Sequence, residues 1–142
     1  MSKLYIILRT DMASMNTVGR ASSMASHITS AFEHSLKGID RILKNDPSNS
    51  YANQVKIRSN DWKEQTPYGF GTVCVLDGGS ADDIKELENG LDMSKYFSGA
   101  VDDPEYHLED GDFIHKIPNV LAGMFVFPIT DDTSELDHLP LR

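Results

Sequence analysis

The sequence has one cysteine, Cys74, and no apolar run near the about 18 residues that a membrane-crossing helix needs. A disulfide framework is therefore excluded, and at 142 residues the chain can bury a core without one. Cys74 lies in the apolar run 72–76 and is expected to be a buried free thiol, as suits a reducing compartment. No Gly-x-Gly-x-x-Gly follows a strand, no loop ends in Gly-Lys-Ser/Thr, no Gly-x-Ser-x-Gly occurs, and no cysteine pair offers a zinc site. Nucleotide cofactors and a nucleophilic serine are thereby disfavoured. The N-terminus enters a strand almost at once, without a signal-peptide pattern, so a soluble cytoplasmic protein is expected.

Basic charge is also scarce, with 13 Lys and Arg against 22 Asp and Glu, for a net of −9. Its distribution is uneven. Residues 1–63 hold 9 basic and 5 acidic side chains, whereas residues 64–142 hold 4 and 17. The second part repels phosphate and the first does not, so an RNA contact would run along the first part through Arg20 and some of Lys37, Arg41, Lys44, Lys56 and Arg58.

Within that first part, Leu4-Tyr5-Ile6-Ile7-Leu8 reads as a buried strand ending at Arg9-Thr10-Asp11. From position 21 to 43 apolar residues recur at helical spacing, with Ile28, Phe32, Leu36 and Ile39 on the core stripe and Asn16 or Thr17 as the cap. Arg20, Ser23, His27 and His34 fall on one shoulder of that stripe, where Arg and His can hold an anionic group. Residues 51–68 are polar without a clean period and are expected to form a long loop with a short extended piece near 55–57. Trp62 in that loop is either an exposed functional residue or, more plainly, tucked over the sheet edge.

A second buried strand is expected at 72–76, a helix capped by Ser80 from 81 to near Gly90, a third strand at 96–101 and a fourth at 120–127. The acidic stretch 105–112 is expected to be a solvated loop around Gly111, and 131–137 a single helical turn. Strand-helix-strand order implies parallel pairing of the first two strands, both placed centrally, and the last two can pair antiparallel. The expectation is one α/β domain over residues 1–142, with a small mixed four-stranded sheet covered by helices.

Asp103, just past the third strand, would then share a rim with Arg9, Asp11 and the start of the long helix. A carboxylate beside an Arg and a His can orient water, hold an ester and carry a proton. His27, His107 and His115 with Asp103 or Asp110 lack the tight spacing of zinc motifs, so no metal or cofactor is expected.

At these residues the chain resembles the archaeal and eukaryotic type of peptidyl-tRNA hydrolase, the second family of that name. The family opens with a short apolar strand, Arg-x-Asp, a Met-containing loop, Gly-Lys and a helix carrying Ala-Ala-Gln-x-x-His. Here these places read Leu4 to Leu8, Arg9-Thr10-Asp11, Met15, Gly19-Arg20 and Ser22-Ser23-Met24-Ala25-Ser26-His27. The family's Asp-Ala-Gly turn looks like Asp103-Pro104-Glu105, and its closing strand looks like Asn119-Val120-Leu121 followed by Phe127-Pro128. Arg20 stands in place of Lys, Met24 in place of Gln, and His107 near the place of a Thr.

The resemblance implies hydrolysis of the ester between a peptide and tRNA. Asp103, Arg20 and His27 would be catalytic, and Arg9, Asp11, Ser23, His107 and Asn119 would contact the substrate. The implied partner is tRNA, with neither DNA nor membrane, and a homodimer is left open. A rival is a module of the same fold that binds tRNA or a protein without turnover, motivated by Met24, the missing Thr and the acidic second part.

Overall fold

The computed structural model describes residues 2–142. Its elements run β1 (Leu4–Arg9), α1 (Val18–Asn45), α2 (Ser50–Lys63), β2 (Val73–Gly79), α3 (Ala81–Gly90), β3 (Tyr96–Asp110) and β4 (Phe113–Pro128), with single 3-10 turns at Ala13–Asn16 and Ser134–Leu136. The sheet order is β2-β1-β4-β3, with β1 parallel to β2 and β4 antiparallel to both β1 and β3. This is the expected α/β domain with a mixed four-stranded sheet. Only β1 and β4 are interior, however. β2 is an edge strand, and Cys74 on it is half-buried, not enclosed. The outer edge of β2 is covered by residues 140–142, through Asp77 N–H donating to the Pro140 carbonyl at 2.8 Å and Arg142 N–H donating to that of Val75 at 3.0 Å.

Alternation along β1 divides the core. Leu4, Ile6 and Leu8 face α1 and α2, while Ile7 joins Leu76, Ile84 and Met124 under α3. α1 begins where Thr17 accepts the N–H of Arg20 and buries Met24, Ile28, Phe32, Leu36 and Ile39, the stripe expected from its period. α3 starts at a capping box between Ser80 and Asp83.

Three further expectations are corrected. Residues 50–63 form α2, capped by the Asn49 side chain, and not a loop with an extended piece. Its inward positions are Ala52, Val55, Ser59 and Trp62, spaced as a helix face but half of them small or polar, which masks the period. Trp62 is 1% exposed, and its indole N–H donates to the Thr72 carbonyl at 2.8 Å, which is the plainer of its two readings.

Residues 105–112 are not a loop either. β3 and β4 stay paired to Asp110 and Phe113, joined by Gly111 and Asp112. Gly111 has φ 60°, which a two-residue turn with glycine at its first central position requires. β1 pairs with β4 only from Gly123 to Val126, so residues 104–119 project past the sheet as a two-stranded arm. Asp103 accordingly sits within a continuous strand and not at its end.

Gly123 is needed because β4 crosses close to β1 there: a Cβ would land on the carbonyl oxygen of Ile7 and 2.9 Å from Ile28 Cδ1. Gly123→Ala must displace the β1 backbone and should cost about 3 kcal/mol, the upper part of the range for overpacked interiors. A urea midpoint equal to that of the unmodified chain would show that β1 and β4 have room to separate.

Candidate functional site

The turn after β1 is held by its own polar groups. Arg9 Nε donates to Asp11 Oδ1 at 2.6 Å, the Thr10 hydroxyl bonds Asp77, and the Asn16 amide donates to the Thr10 carbonyl at 2.8 Å. Arg142 in turn donates to the Asn16 side-chain oxygen at 3.0 Å. Arg9 and Asp11 are thus paired with each other at the rim where α1 begins.

Arg20 leaves the first turn of α1 toward the base of the arm. Its guanidinium carbon lies 4.5 Å from the Tyr106 ring centroid, and Nη2 donates to the His107 carbonyl at 2.8 Å. Tyr106 is buried beneath it, with its hydroxyl 2.5 Å from Ser14 Oγ. Arg20 forms no ion pair with a carboxylate among the described residues, so it is charge-unpaired beside a strand rich in acids.

Asp103 pairs with Val120 across the strands, and Val120 belongs to the core under α1. Partners across an antiparallel pair point to the same face, which puts Asp103 on the face that α1 covers. Asp103 Oδ1 accepts the Glu105 N–H at 3.0 Å, and its second oxygen has no hydrogen-bond partner among the described residues. Asp103 and Arg20 therefore both lie on the α1-covered side at the base of the arm, Arg20 bonding β3 four residues beyond Asp103, and they form no ion pair.

The other expected residues are less closely gathered. His107 Nε2 lies 3.1 Å from Glu105 Oε2 and holds that carboxyl below its usual range, with Lys116 adding to the effect. Asn119, between Pro118 and Val120 on β4, has φ 55°, a left-handed conformation that asparagine tolerates. His27 and Ser23 are exposed on α1, His27 about 10 Å along the helix from Arg20 and without a hydrogen bond among the described residues. Met24 is buried in the core beneath α1.

A groove of about 320 Å³ runs beside the rim, with Leu8, Ala21, Ala25 and Val75 as its floor and Asn16 and Arg142 at its mouth. A larger cleft, about 700 Å³, lies between α3 and the segment around His138, on the sheet face away from Asp103. Among the described residues no three His, Cys, Asp or Glu side chains are placed to share a metal ion. No helix among them is long and apolar enough to cross a membrane.

Tyr106 and Ser14 are the site residues that sequence reasoning missed. The signal for Tyr106 was the alternation of Tyr106 and Leu108 facing Ile117, obscured by the acids between them. Neither the protein-family models nor the curated proteins contain a match to this chain.

Proposed function

We propose that the chain hydrolyses the ester joining a peptide, or an N-blocked amino acid, to the 3′ ribose of tRNA in the cytoplasm. The observation that carries this reading is that the Asp103 carboxylate and the Arg20 guanidinium, which bonds the His107 carbonyl four residues along β3, both lie on the α1-covered side at the base of the arm. The motif resemblance at Arg9-Thr10-Asp11, Gly19-Arg20 and His27 supports it independently. In the proposed reaction the free oxygen of Asp103 accepts a proton from water as that water attacks the ester carbonyl. The Arg20 N–H groups not bound to His107 steady the developing oxyanion or the terminal phosphate. The 3′ ribose oxygen leaves and takes up a proton, and His27 positions a neighbour or relays that proton. No cofactor is required for these steps.

The reading is tested by single-turnover release of a blocked amino acid from tRNA. Release above the spontaneous rate is expected, and a rate equal to the blank would discard the enzyme. A second reading, tRNA binding without turnover, is favoured by two specific facts. Met24 is buried where the resembled family carries a Gln, and Arg20 is partly occupied by Tyr106 and the His107 carbonyl. The same assay separates the two.

The RNA footprint can be narrowed. Lys56 is tied to Asp40 at 2.6 Å and Arg58 to Asp131 at 2.9 Å, whereas Lys37, Arg41 and Lys44 form no ion pair among the described residues. They recur at helical spacing as one exposed stripe on α1. Reversing all three to Glu should weaken tRNA binding and reduce the slope of log affinity against log salt by roughly one for each phosphate no longer neutralised. An unchanged slope in titrations at several salt concentrations would move the footprint elsewhere.

A further inference from the structure

The arm formed by residues 104–119 ends in two exposed apolar side chains, Phe113 at 76% and Ile114 at 57% of full exposure. Consecutive strand residues point to opposite faces, so the tip is apolar on both sides and packing against its own domain does not account for it. Around the tip the arm is acidic: Glu105, Glu109, Asp110 and Asp112 stand against Lys116 as the only Lys or Arg of this segment.

At the other end of the molecule the character is reversed. Arg20, in the first turn of α1, sits at the base of the arm, while the Tyr51 hydroxyl, just past the C-terminal end of α1, donates to the carbonyl of Tyr96 at the start of β3. The 28 residues of α1 therefore run back from the arm for about 42 Å. The unpaired stripe Lys37, Arg41 and Lys44 lies toward that far end. Ile57 on α2 is 61% exposed there, brought alongside by the Lys56–Asp40 bridge between the two helices.

An acidic tip with an apolar pair at one end and a basic stripe with an exposed Ile at the other are complementary in charge and in apolar surface. We propose that the arm docks on a second copy of this chain. Two molecules lie antiparallel about a two-fold axis, and the Phe113–Ile114 tip of each rests on the Lys37–Arg41–Lys44 stripe and Ile57 of the other. The two-fold arrangement uses both complementary ends of both molecules and closes, whereas head-to-tail docking would leave one end of each chain open and propagate. The contact needs only these two surfaces and is independent of the hydrolase reading. An RNA backbone and the arm would compete for the stripe.

The test is sedimentation of the full chain over a concentration series. A monomer–dimer equilibrium is expected, weakening with added salt. F113S/I114S, at exposed positions, and separately K37E/R41E/K44E should each weaken the dimer by roughly tenfold or more. Combining K37E/R41E/K44E with D110K/D112K restores opposite charges and should recover association. A monomer at every concentration, a dimer indifferent to the tip and stripe variants, or no recovery in the charge-swapped chain would overturn the proposal. A ladder of species larger than dimers would overturn the closed arrangement.

Discussion

Replacing Asp103 with Asn is expected to lower single-turnover ester release by roughly a hundredfold or more, a barrier increase of about 2.7 kcal/mol, while leaving the unfolding temperature unchanged. The geometry makes this a clean substitution. Asp103 Oδ1 accepts the Glu105 N–H, an interaction that an Asn side-chain oxygen makes equally well, so the local turn survives. What is lost is the negative charge and the proton-accepting ability of the second oxygen. Arg20 requires more care, because it also stacks on Tyr106 and holds the His107 carbonyl. Arg20→Ala should therefore lose both turnover and the anchoring of the arm, whereas Arg20→Lys keeps the charge and loses the planar fork. His27→Ala should fall between Asp103→Asn and Arg20→Lys if His27 only positions a neighbour. Thermal unfolding of each variant separates loss of fold from loss of chemistry. Equal release by the unmodified chain and Asp103→Asn would remove this carboxylate from the mechanism.

The parts of this site that could be read from the sequence are those that are local. A strand, a turn, a cap and a helix follow one another from Leu4 to Asn45, and each carries its own signature in residue type and spacing. The parts that could not be read join distant segments: Ser14 meets Tyr106 from 92 residues away and Arg20 meets His107 from 87. Those contacts depend on the register of β3 against β4, which a single sequence does not display.

The arm escaped notice for a related reason. Most of its length faces solvent on both sides, so it lacks the alternation that burial of one face imposes, and its acids resemble those of a loop. Gly111-Asp112 was the available clue, since a two-residue glycine turn between stretches rich in Ile, Phe, Leu and Tyr is a hairpin signal. α2 was hidden differently, by inward positions filled with Ala52 and Ser59, which fit close under neighbouring elements but contribute little hydrophobic pattern.

Phe32→Ala should be among the most damaging single changes in the core. Its ring is fully buried and lies 5.1 Å from Phe127, 5.5 Å from Phe125, 5.6 Å from Trp62 and 6.1 Å from Phe97 by centroid, the Trp62 contact being edge-on. One side chain thus joins α1 to α2 and to both strands of the β3–β4 pair. Truncation removes the transfer free energy of the ring and leaves a cavity that surrounding aromatics cannot fill by small shifts, at a cost of about 3–5 kcal/mol. The lost aromatic pairings place the cost toward the upper end of that range. Against a total stability of about 5–15 kcal/mol for a domain of this kind, the variant should sit close to its unfolding threshold. The urea midpoint should fall sharply with little change in slope, because the surface exposed on unfolding is nearly the same. Phe113→Ala removes the same atoms from the solvent-exposed arm tip and should change stability by no more than about 0.5 kcal/mol, as for other surface sites. If the two substitutions proved equally mild, α1 would not be seated on the sheet by its Phe32 face. The placement of Arg20 at the base of the arm, which depends on that seating, would fall with it.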